Sequence, residues 1–392
     1  MRAPLDGIRV LDLGTMVAAP YGATMLGDMG ADVIKVEPPQ GDELRHVGPG
    51  LGTDSGLFVG VNRNKRSLVL DLLDTTGQAL FQRLVATADV VIHNIRASAC
   101  ARLGLRHEDL RQHRADVISV RVSTYGDTGP MAQRPGIDPS AQAMSGFMSF
   151  TGFADGEPLR SSIPIADATA ANLIAFGVVT ALFARQRDGA GQALSVALID
   201  GMVHLQPGPV GQFGLLGYAQ PRVGNSSPFL APYNTYRCRD GQVIHVAVIN
   251  DKYFARLCEA LECPGLIDDP RFASNAGRLE HVHALDGLIG AAMQRFDGDE
   301  AMARLQRADA IAAPVRDMAG VFADPQLAAS GMLVPVEHSR HGPIRVGGVA
   351  TRLSRTPGSV RRAPPALGEH TGEILESLGA STEQIARFTG TG

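Results

Sequence analysis

Asp167 is the carboxylate in this sequence most suited to chemistry. It follows Pro164-Ile165-Ala166 and opens the longest apolar helical pattern of the chain, Ala166 to Arg187. Two readings fit it. Asp is among the best N-cap residues, and a carboxylate in a largely apolar setting can serve as a nucleophile or a proton-transfer group. A helix N-terminus favours the ionised form that a nucleophile needs. Other polar clusters stand out. Asn62-Arg63-Asn64-Lys65-Arg66-Ser67 packs cations ahead of a strand, which reads as a solvated turn or as a cradle for phosphates. His93-Asn94-Ile95-Arg96 closes a predicted strand, where ligands gather in open α/β sheets, and Arg102 follows. His370, in Gly368-Glu369-His370-Thr371-Gly372, reads as a helix-entry histidine or as an acid/base group.

The missing motifs narrow the chemistry. The first strand runs into Gly14-Thr15-Met16-Val17-Ala18-Ala19-Pro20, with no GxGxxG, and no GxxxxGK[ST], GxSxG or HExxH occurs. A nicotinamide or nucleoside-triphosphate enzyme is disfavoured. Cys100, Cys238, Cys258 and Cys263 include no CxxC pair, so neither a metal site nor a disulfide framework is expected.

These residues need a scaffold, and the first half of the chain supplies an alternating one. Strand-like runs cover residues 8–13, 32–37, 67–72, 89–95, 116–122 and 192–198. Helical patterns over 18–29, 76–88, 166–187 and 201–216 alternate with them. Apolar strands separated by crossover helices predict a buried parallel sheet. After Gly217 the character changes. Two strands, 233–238 and 243–248, flank a turn, and helical patterns follow at 251–261, 274–296 and 299–308, which predicts a second, α+β domain. Short helices at 372–378 and 382–388 close the chain.

Length and charge bound the partners. The chain has 392 residues, 36 Lys+Arg against 40 Asp+Glu, and a net charge of −4. That balance disfavours a nucleic-acid partner held by a general basic field. Lys35, Lys65 and Lys252 are the only lysines; arginine, whose planar fork suits phosphates and carboxylates, supplies the other cations. With no signal-like N-terminus and no apolar run of about 18 residues, the expectation is a cytoplasmic protein without a membrane partner.

Together the segments resemble the class III CoA-transferases, the CaiB/BaiF-type family of formyl-CoA:oxalate and carnitine CoA-transferases. The resemblance rests on Pro4-Leu5-Asp6-Gly7-Ile8-Arg9-Val10-Leu11-Asp12, Gly30-Ala31-Asp32-Val33-Ile34-Lys35-Val36-Glu37 and Asn62 to Ser67. It continues through Tyr125-Gly126-Asp127-Thr128-Gly129-Pro130, Pro135-Gly136-Ile137-Asp138, Pro164-Ile165-Ala166-Asp167 and Leu367-Gly368-Glu369-His370-Thr371. It implies an α/β fold: a Rossmann-like large domain with a parallel sheet, built from residues 1–217 and 331–392. A small α+β domain, 218–330, is inserted, and two subunits interlock as a homodimer.

The resemblance also implies roles. The family's catalytic aspartate falls on Asp167. Its CoA contacts fall on Val17, Ala18, Asp71, Leu72, Asn94, Ile95, Arg96, Arg102, Gly136, Ile137 and Asp138. The formyl-CoA enzyme has Arg where this chain has Pro38, and Arg45 is the expected replacement. No cofactor is expected to be tightly bound; CoA thioesters are substrates. The implied reaction moves CoA from an acyl-CoA to a carboxylate through aspartyl anhydride and aspartyl-CoA thioester intermediates. The acceptor resemblance is closest to members acting on dicarboxylates such as succinate, glutarate derivatives, itaconate or mesaconate. The related α-methylacyl-CoA racemases carry His where this chain has Ile137, which cannot transfer protons. A racemase-like isomerase and a catalytically idle CoA-binding protein are the alternatives.

Overall fold

The computed structural model describes residues 2–52 and 54–389. Two compact units result: Met1–Phe147, Arg160–Pro207 and Pro325–Gly392 in the first, Met148–Leu159 and Gly208–Asp324 in the second. The breaks thus lie after Pro207 and at Pro325, earlier than the expected 217/218 and 330/331, and 148–159 joins the second unit.

The first unit is organised by six strands: β1 (Arg9–Asp12), β2 (Asp32–Glu37), β3 (Lys65–Val69), β4 (Val90–His93), β5 (Ile118–Ser123) and β6 (Ala193–Ala197). Their order is β3-β2-β1-β4-β5-β6, and every neighbouring pair is parallel. The chain builds outward from β1 in one direction, returns, and builds outward in the other. Such a doubly wound sheet leaves a crevice at the carboxyl ends of its two central strands, here β1 and β4.

Both faces are covered, which is why the strands are apolar on both sides. On one face Val10, Val33, Ile92 and Val120 pack under helices α1 (Ala18–Asp28) and, further on, Ile165–Asp188. On the other, Leu11, Ile34, Leu68 and Val91 pack under α2 (Thr75–Val85), with Cys100 from α3 (Ala97–Leu103) and Leu110 from α4 (His107–Arg111). α5 (Asp138–Met144) precedes the long helix, α6 (Ile165–Asp188). α6 has the length and apolarity of a membrane-spanning helix. It is instead the core helix of this unit, with Ala166, Ala170, Ile174 and Val178 fully buried. The approach of α1 and α6 is close: a Cβ on Gly22 would lie 2.8 Å from Ile174 Cγ2 and 3.2 Å from the Ala171 carbonyl oxygen.

The expected helix 201–216 is two helices, α7 (Leu198–His204) and α8 (Pro207–Leu216). Pro207 lacks the N–H that would continue the first. In the second unit, β7 (Tyr233–Arg237) and β8 (Val243–Ala247) pair antiparallel as expected, and an unexpected third strand, β9 (Ala312–Pro314), joins β8. Helices α9 (Asp251–Ala260), α10 (Asn275–Glu280), α11 (Val282–Met293) and α12 (Gly298–Arg307) accompany them. Tyr236, Ile244, Phe254, Leu257, Leu285 and Leu305 form that unit's core. Arg222 ties 148–159 to this unit by donating to the carbonyls of Ser149, Phe153 and Gly156. The returning chain adds a hairpin to the first unit, β10 (Leu333–His338) and β11 (Gly342–Gly347), that the sequence reading did not contain.

Candidate active site

α6 leads through Gly189 into β6, so it runs antiparallel to the strands. Its 24 residues span ~36 Å at 1.5 Å each, and a five-residue strand spans ~17 Å. The N-terminal turn of α6 therefore reaches the carboxyl edge of the sheet, the side where the crevice opens.

Asp167 sits in that turn. It is not the N-cap: Pro164 holds that position and has no side-chain hydrogen bond, and Asp167 is the third residue of the helix. The capping acceptor comes from α5. Asp138 Oδ2 accepts from the amides of Ala166 at 2.7 Å and Asp167 at 3.2 Å. Asp167 itself is half-buried and has no cation partner among the described residues. Burial, with the nearby Asp138 carboxylate adding to it, pushes the Asp167 carboxyl up to about 7. The expectation that the helix end favours its ionised form is thus reversed, because desolvation and a like charge outweigh the turn's partial positive charge.

The loop 14–17 between β1 and α1 is held from four sides. Asp12 Oδ1 accepts from Gly14 N at 2.9 Å, and Lys35 Nζ donates to the Gly14 carbonyl at 2.9 Å. Asn94 clamps Thr15, and Asp42 Oδ1 accepts from Met16 N at 3.1 Å. Met16 adopts a left-handed φ of 64°, uncommon for a non-glycine residue. Val17 and Ala18 follow at the start of α1. Lys35 and Asp42, which hold this loop, were not singled out from sequence. The available signal was a charged residue inside the apolar strand run Asp32-Val33-Ile34-Lys35-Val36-Glu37.

Most of the other expected CoA contacts also lie at carboxyl ends of strands. Asp71 and Leu72 follow β3, Asn94, Ile95 and Arg96 follow β4, and Gly136 and Ile137 follow β5 and precede α5. Gly136 has to be glycine: a Cβ there would lie 2.6 Å from Thr124 Cγ2 and 2.8 Å from Tyr125 Cε2. Ile137 is exposed at the α5 N-cap. Arg96 and Arg102, at the two ends of α3, are exposed and have no acidic partner among the described residues.

Three expectations change. Arg45 is buried; its Nε and Nη2 bind the Glu37 carboxylate at 2.7 and 2.9 Å, and its Nη1 binds Asp54 at 2.6 Å. Its charge is spent inside the chain, so it is no substitute for a CoA-binding arginine. The Asn94 and Asp138 side chains likewise have backbone partners and shape the site from behind. The Asn62–Ser67 cluster is neither a solvated turn nor a phosphate cradle. Lys65 is buried on Asp12 at 2.7 Å, Arg63 on Asp28 at 2.6 Å, and Arg66 binds Asp32 at 2.7 Å. His370 is a helix-entry residue for α13 (Thr371–Ser377), bonded through Nδ1 and its own amide to Ser67.

Asp54, His338 and His341 are the one grouping among the described residues with metal-ligand chemistry. Most of its polar atoms are taken within the chain, and His338 Nε2, buried, is left without a hydrogen-bond partner. His341 Nε2 lies 3.1 Å from Asp54 Oδ2, Arg45 takes Oδ1, and the Arg340 amide donates to His338 Nδ1 at 3.1 Å. The group reads as a clasp holding the β10–β11 hairpin to Asp54.

Known proteins share this whole plan. Residues 5–371 match CoA-transferase family III. The chain is 37% identical to the succinyl-CoA–D-citramalate CoA-transferase of Chloroflexus aurantiacus, over 97% of this chain and 95% of that one. It is 36% identical to the succinate–glutarate CoA-transferase of Agrobacterium fabrum, over 96% of each. A crystal structure of a CaiB/BaiF family protein from Brucella suis superposes with a TM-score of 0.89 at 34% identity, covering 96% of this chain and all of that one. The chain belongs to CoA-transferase family III.

Proposed function

We propose that this enzyme moves CoA from succinyl-CoA, or a similar dicarboxylyl-CoA, to a second dicarboxylate such as itaconate, mesaconate or a glutarate derivative, with Asp167 as the nucleophile. The observation that carries the proposal is an uncompensated carboxylate, half-buried in the first turn of α6 at the carboxyl edge of a doubly wound sheet. A stability-driven sequence would pair or expose such a group; perturbed carboxyls of this kind concentrate at functional sites. Similarity to transferases of citramalate and of glutarate supports the dicarboxylate class.

The chemistry follows from the carboxylate. An ionised Asp167 oxygen attacks the donor thioester carbon, the C–S bond breaks, and an aspartyl–acyl anhydride and CoA thiolate form. The thiolate attacks the aspartyl carbonyl, releasing the donor carboxylate and leaving an aspartyl-CoA thioester. The acceptor carboxylate then attacks that carbonyl and expels the thiolate. The thiolate attacks the acceptor's acyl carbon and regenerates Asp167. Covalent catalysis splits one difficult transfer into easier steps. Water has to be excluded, because both intermediates hydrolyse. Ile137, with no titratable group, gives no support to a racemase pathway.

Exposed Arg96 and Arg102 are the cations assigned to the CoA phosphates, through charge-assisted hydrogen bonds. A second copy of the chain covers the outward face of α6, where Phe176 and Phe183 stand 72% and 56% exposed. Apolar side chains grouped in this way mark association surfaces. Four free thiols suit a reducing, cytoplasmic setting.

The test is Asp167→Asn, assayed for CoA exchange between succinyl-CoA and a dicarboxylate panel. Transfer is expected to vanish in a folded variant, because a neutral amide cannot form the anhydride. Wild-type enzyme given acyl-CoA alone is expected to gain an adduct on the Asp167 peptide that hydroxylamine intercepts. A folded Asp167→Asn variant that transfers CoA at the wild-type rate overturns the proposal. For the dimer, sedimentation at nanomolar concentration is expected to give two chains; a fully active monomer refutes it.

A further inference from the structure

Asp138 is buried, and both its oxygens are used. Oδ1 accepts from Gln142 Nε2 at 2.5 Å, and Oδ2 accepts the two first-turn amides of α6. Gln142 is fully buried, and its Oε1 accepts from Ser161 N at 2.8 Å. The result is a closed relay from 161 through α5 to the first turn of α6. An acidic residue at the third position of a helix can reach back to the N-cap amide, but the N-cap here is Pro164, which has no N–H to offer. The first turn is capped from another helix, and the Asp167 carboxyl is left without a hydrogen bond among the described residues.

We propose that Asp138 is a positioning residue for Asp167: by taking the amides of Ala166 and Asp167 it fixes the first turn of α6, which carries the Asp167 carboxyl, and places a like charge beside it. The proposal rests on Asp167 being the nucleophile. The elements packed against α6 carry Tyr21 and Asp28 on α1, Asp138 on α5, Arg121 on β5, and Asp200 and His204 on α7; of these, Asp138 is the one that acts on the Asp167 carboxyl. Asp28 is neutralised by Arg63, and Arg121 by Asp127. A carboxylate made more basic in this way is the stronger nucleophile once ionised.

Asp138→Asn and Asp138→Glu separate charge from position. The asparagine keeps an acceptor oxygen for the two amides, removes the charge and gives up the acceptor for Gln142 Nε2. The glutamate keeps the charge and displaces it by one methylene. Two readouts are taken: the titration of the Asp167 carboxyl by carbon NMR of aspartate-labelled protein, assigned by its disappearance in Asp167→Asn, and the acid limb of kcat/KM for exchange. In Asp138→Asn both midpoints are expected to fall from about 7 by about 1 pH unit or more. In Asp138→Glu the midpoints are expected to stay near the wild-type value while kcat falls at least tenfold. Unchanged midpoints in a folded Asp138→Asn protein overturn the proposal. If Asp138→Asn does not fold, wild-type kcat in Asp138→Glu overturns it. The NMR titration does not need turnover, so a failure of the transferase reading, seen as no exchange in wild type, is distinct from a failure of the Asp138 link.

Discussion

Asn94 and Thr15 are joined through both ends of one side-chain amide. Asn94 Oδ1 accepts from Thr15 N at 3.0 Å, and Asn94 Nδ2 donates to the Thr15 carbonyl at 2.8 Å. The pair ties the carboxyl end of β4 to that of β1, across the two strands that bound the crevice. Asn94→Ala removes both bonds and frees the loop that leads to Val17. Two hydrogen bonds lost at a half-buried site cost about 1–3 kcal/mol. A raised KM for the acyl-CoA donor with a smaller change in kcat is expected from steady-state assays. Unchanged KM and unchanged stability would show that the clamp does not shape the binding loop.

Arg45 and Arg102 separate structural from binding arginines. Arg45→Ala leaves Glu37 and Asp54 buried without their guanidinium. Breaking one partner of a buried ion pair costs about 3–5 kcal/mol, so a large loss in denaturant midpoint or failure to fold is expected. Arg102 is exposed and unpaired among the described residues, so Arg102→Ala is expected to leave the melting temperature within a degree or two. Its cost appears in donor binding, at about 1.5–3 kcal/mol for one charge-assisted contact, or roughly a 10- to 150-fold rise in Kd for CoA by calorimetry. The reverse pattern, Arg45→Ala stable and Arg102→Ala unstable, contradicts both assignments.

The close approach of α1 and α6 sets two effects against each other at Gly22. Replacing a helical glycine by alanine gains up to about 1 kcal/mol in propensity. The added Cβ, however, meets Ile174 Cγ2 at 2.8 Å and the Ala171 carbonyl at 3.2 Å, and the carbonyl cannot give way as a side chain can. Overpacking of this kind costs about 1–3 kcal/mol. The clash wins, and Gly22→Ala is expected to lower the urea midpoint at unchanged m-value. An increase in the midpoint would mean that the two helices are free to separate.

The six parallel strands were legible because each is an apolar run flanked by helical spacing, and that periodicity survives burial on both faces. Strand ends were less so. β3 begins at Lys65, not Ser67, because the Lys65 ammonium finds Asp12 and the Asn62 amide inside the fold, partners distant in sequence or hidden in a loop. The same long-range pairing hid the structural role of the Asn62–Ser67 cations: a charge run looks solvated until Asp12, Asp28 and Asp32 are seen beside it. The β10–β11 hairpin went unread because Pro335, Gly342 and Pro343 interrupt the alternation that marks a strand. Asp167 stood out in the sequence through its place at the start of a long apolar helix and through family resemblance. Its environment was not legible, since its neighbour Asp138 arrives from a different helix, and a local reading can only assign helix caps locally.

The raised Asp167 carboxyl makes a stability prediction that needs no assay of transfer. Its value moves from 3.8 to about 7 in the folded chain. Folding therefore favours the protonated group. That favourable contribution is complete below about pH 4 and is lost as pH rises through about 7, where the folded protein has to hold an ionised, half-buried carboxylate. A difference of about 3 pK units sets a ceiling of about 4 kcal/mol; solvent screening at a half-buried group reduces it to about 1–2 kcal/mol. Asp167→Asn removes the titration and keeps the shape. It is expected to match wild type near pH 4 and to melt a few degrees higher at pH 8, with the gap opening between those values. Calorimetric scans across that range decide the matter. A wild-type protein more stable than Asp167→Asn at pH 8 would mean that the ionised carboxylate has a stabilising partner, and the account of Asp167 as an uncompensated charge held for catalysis would fail.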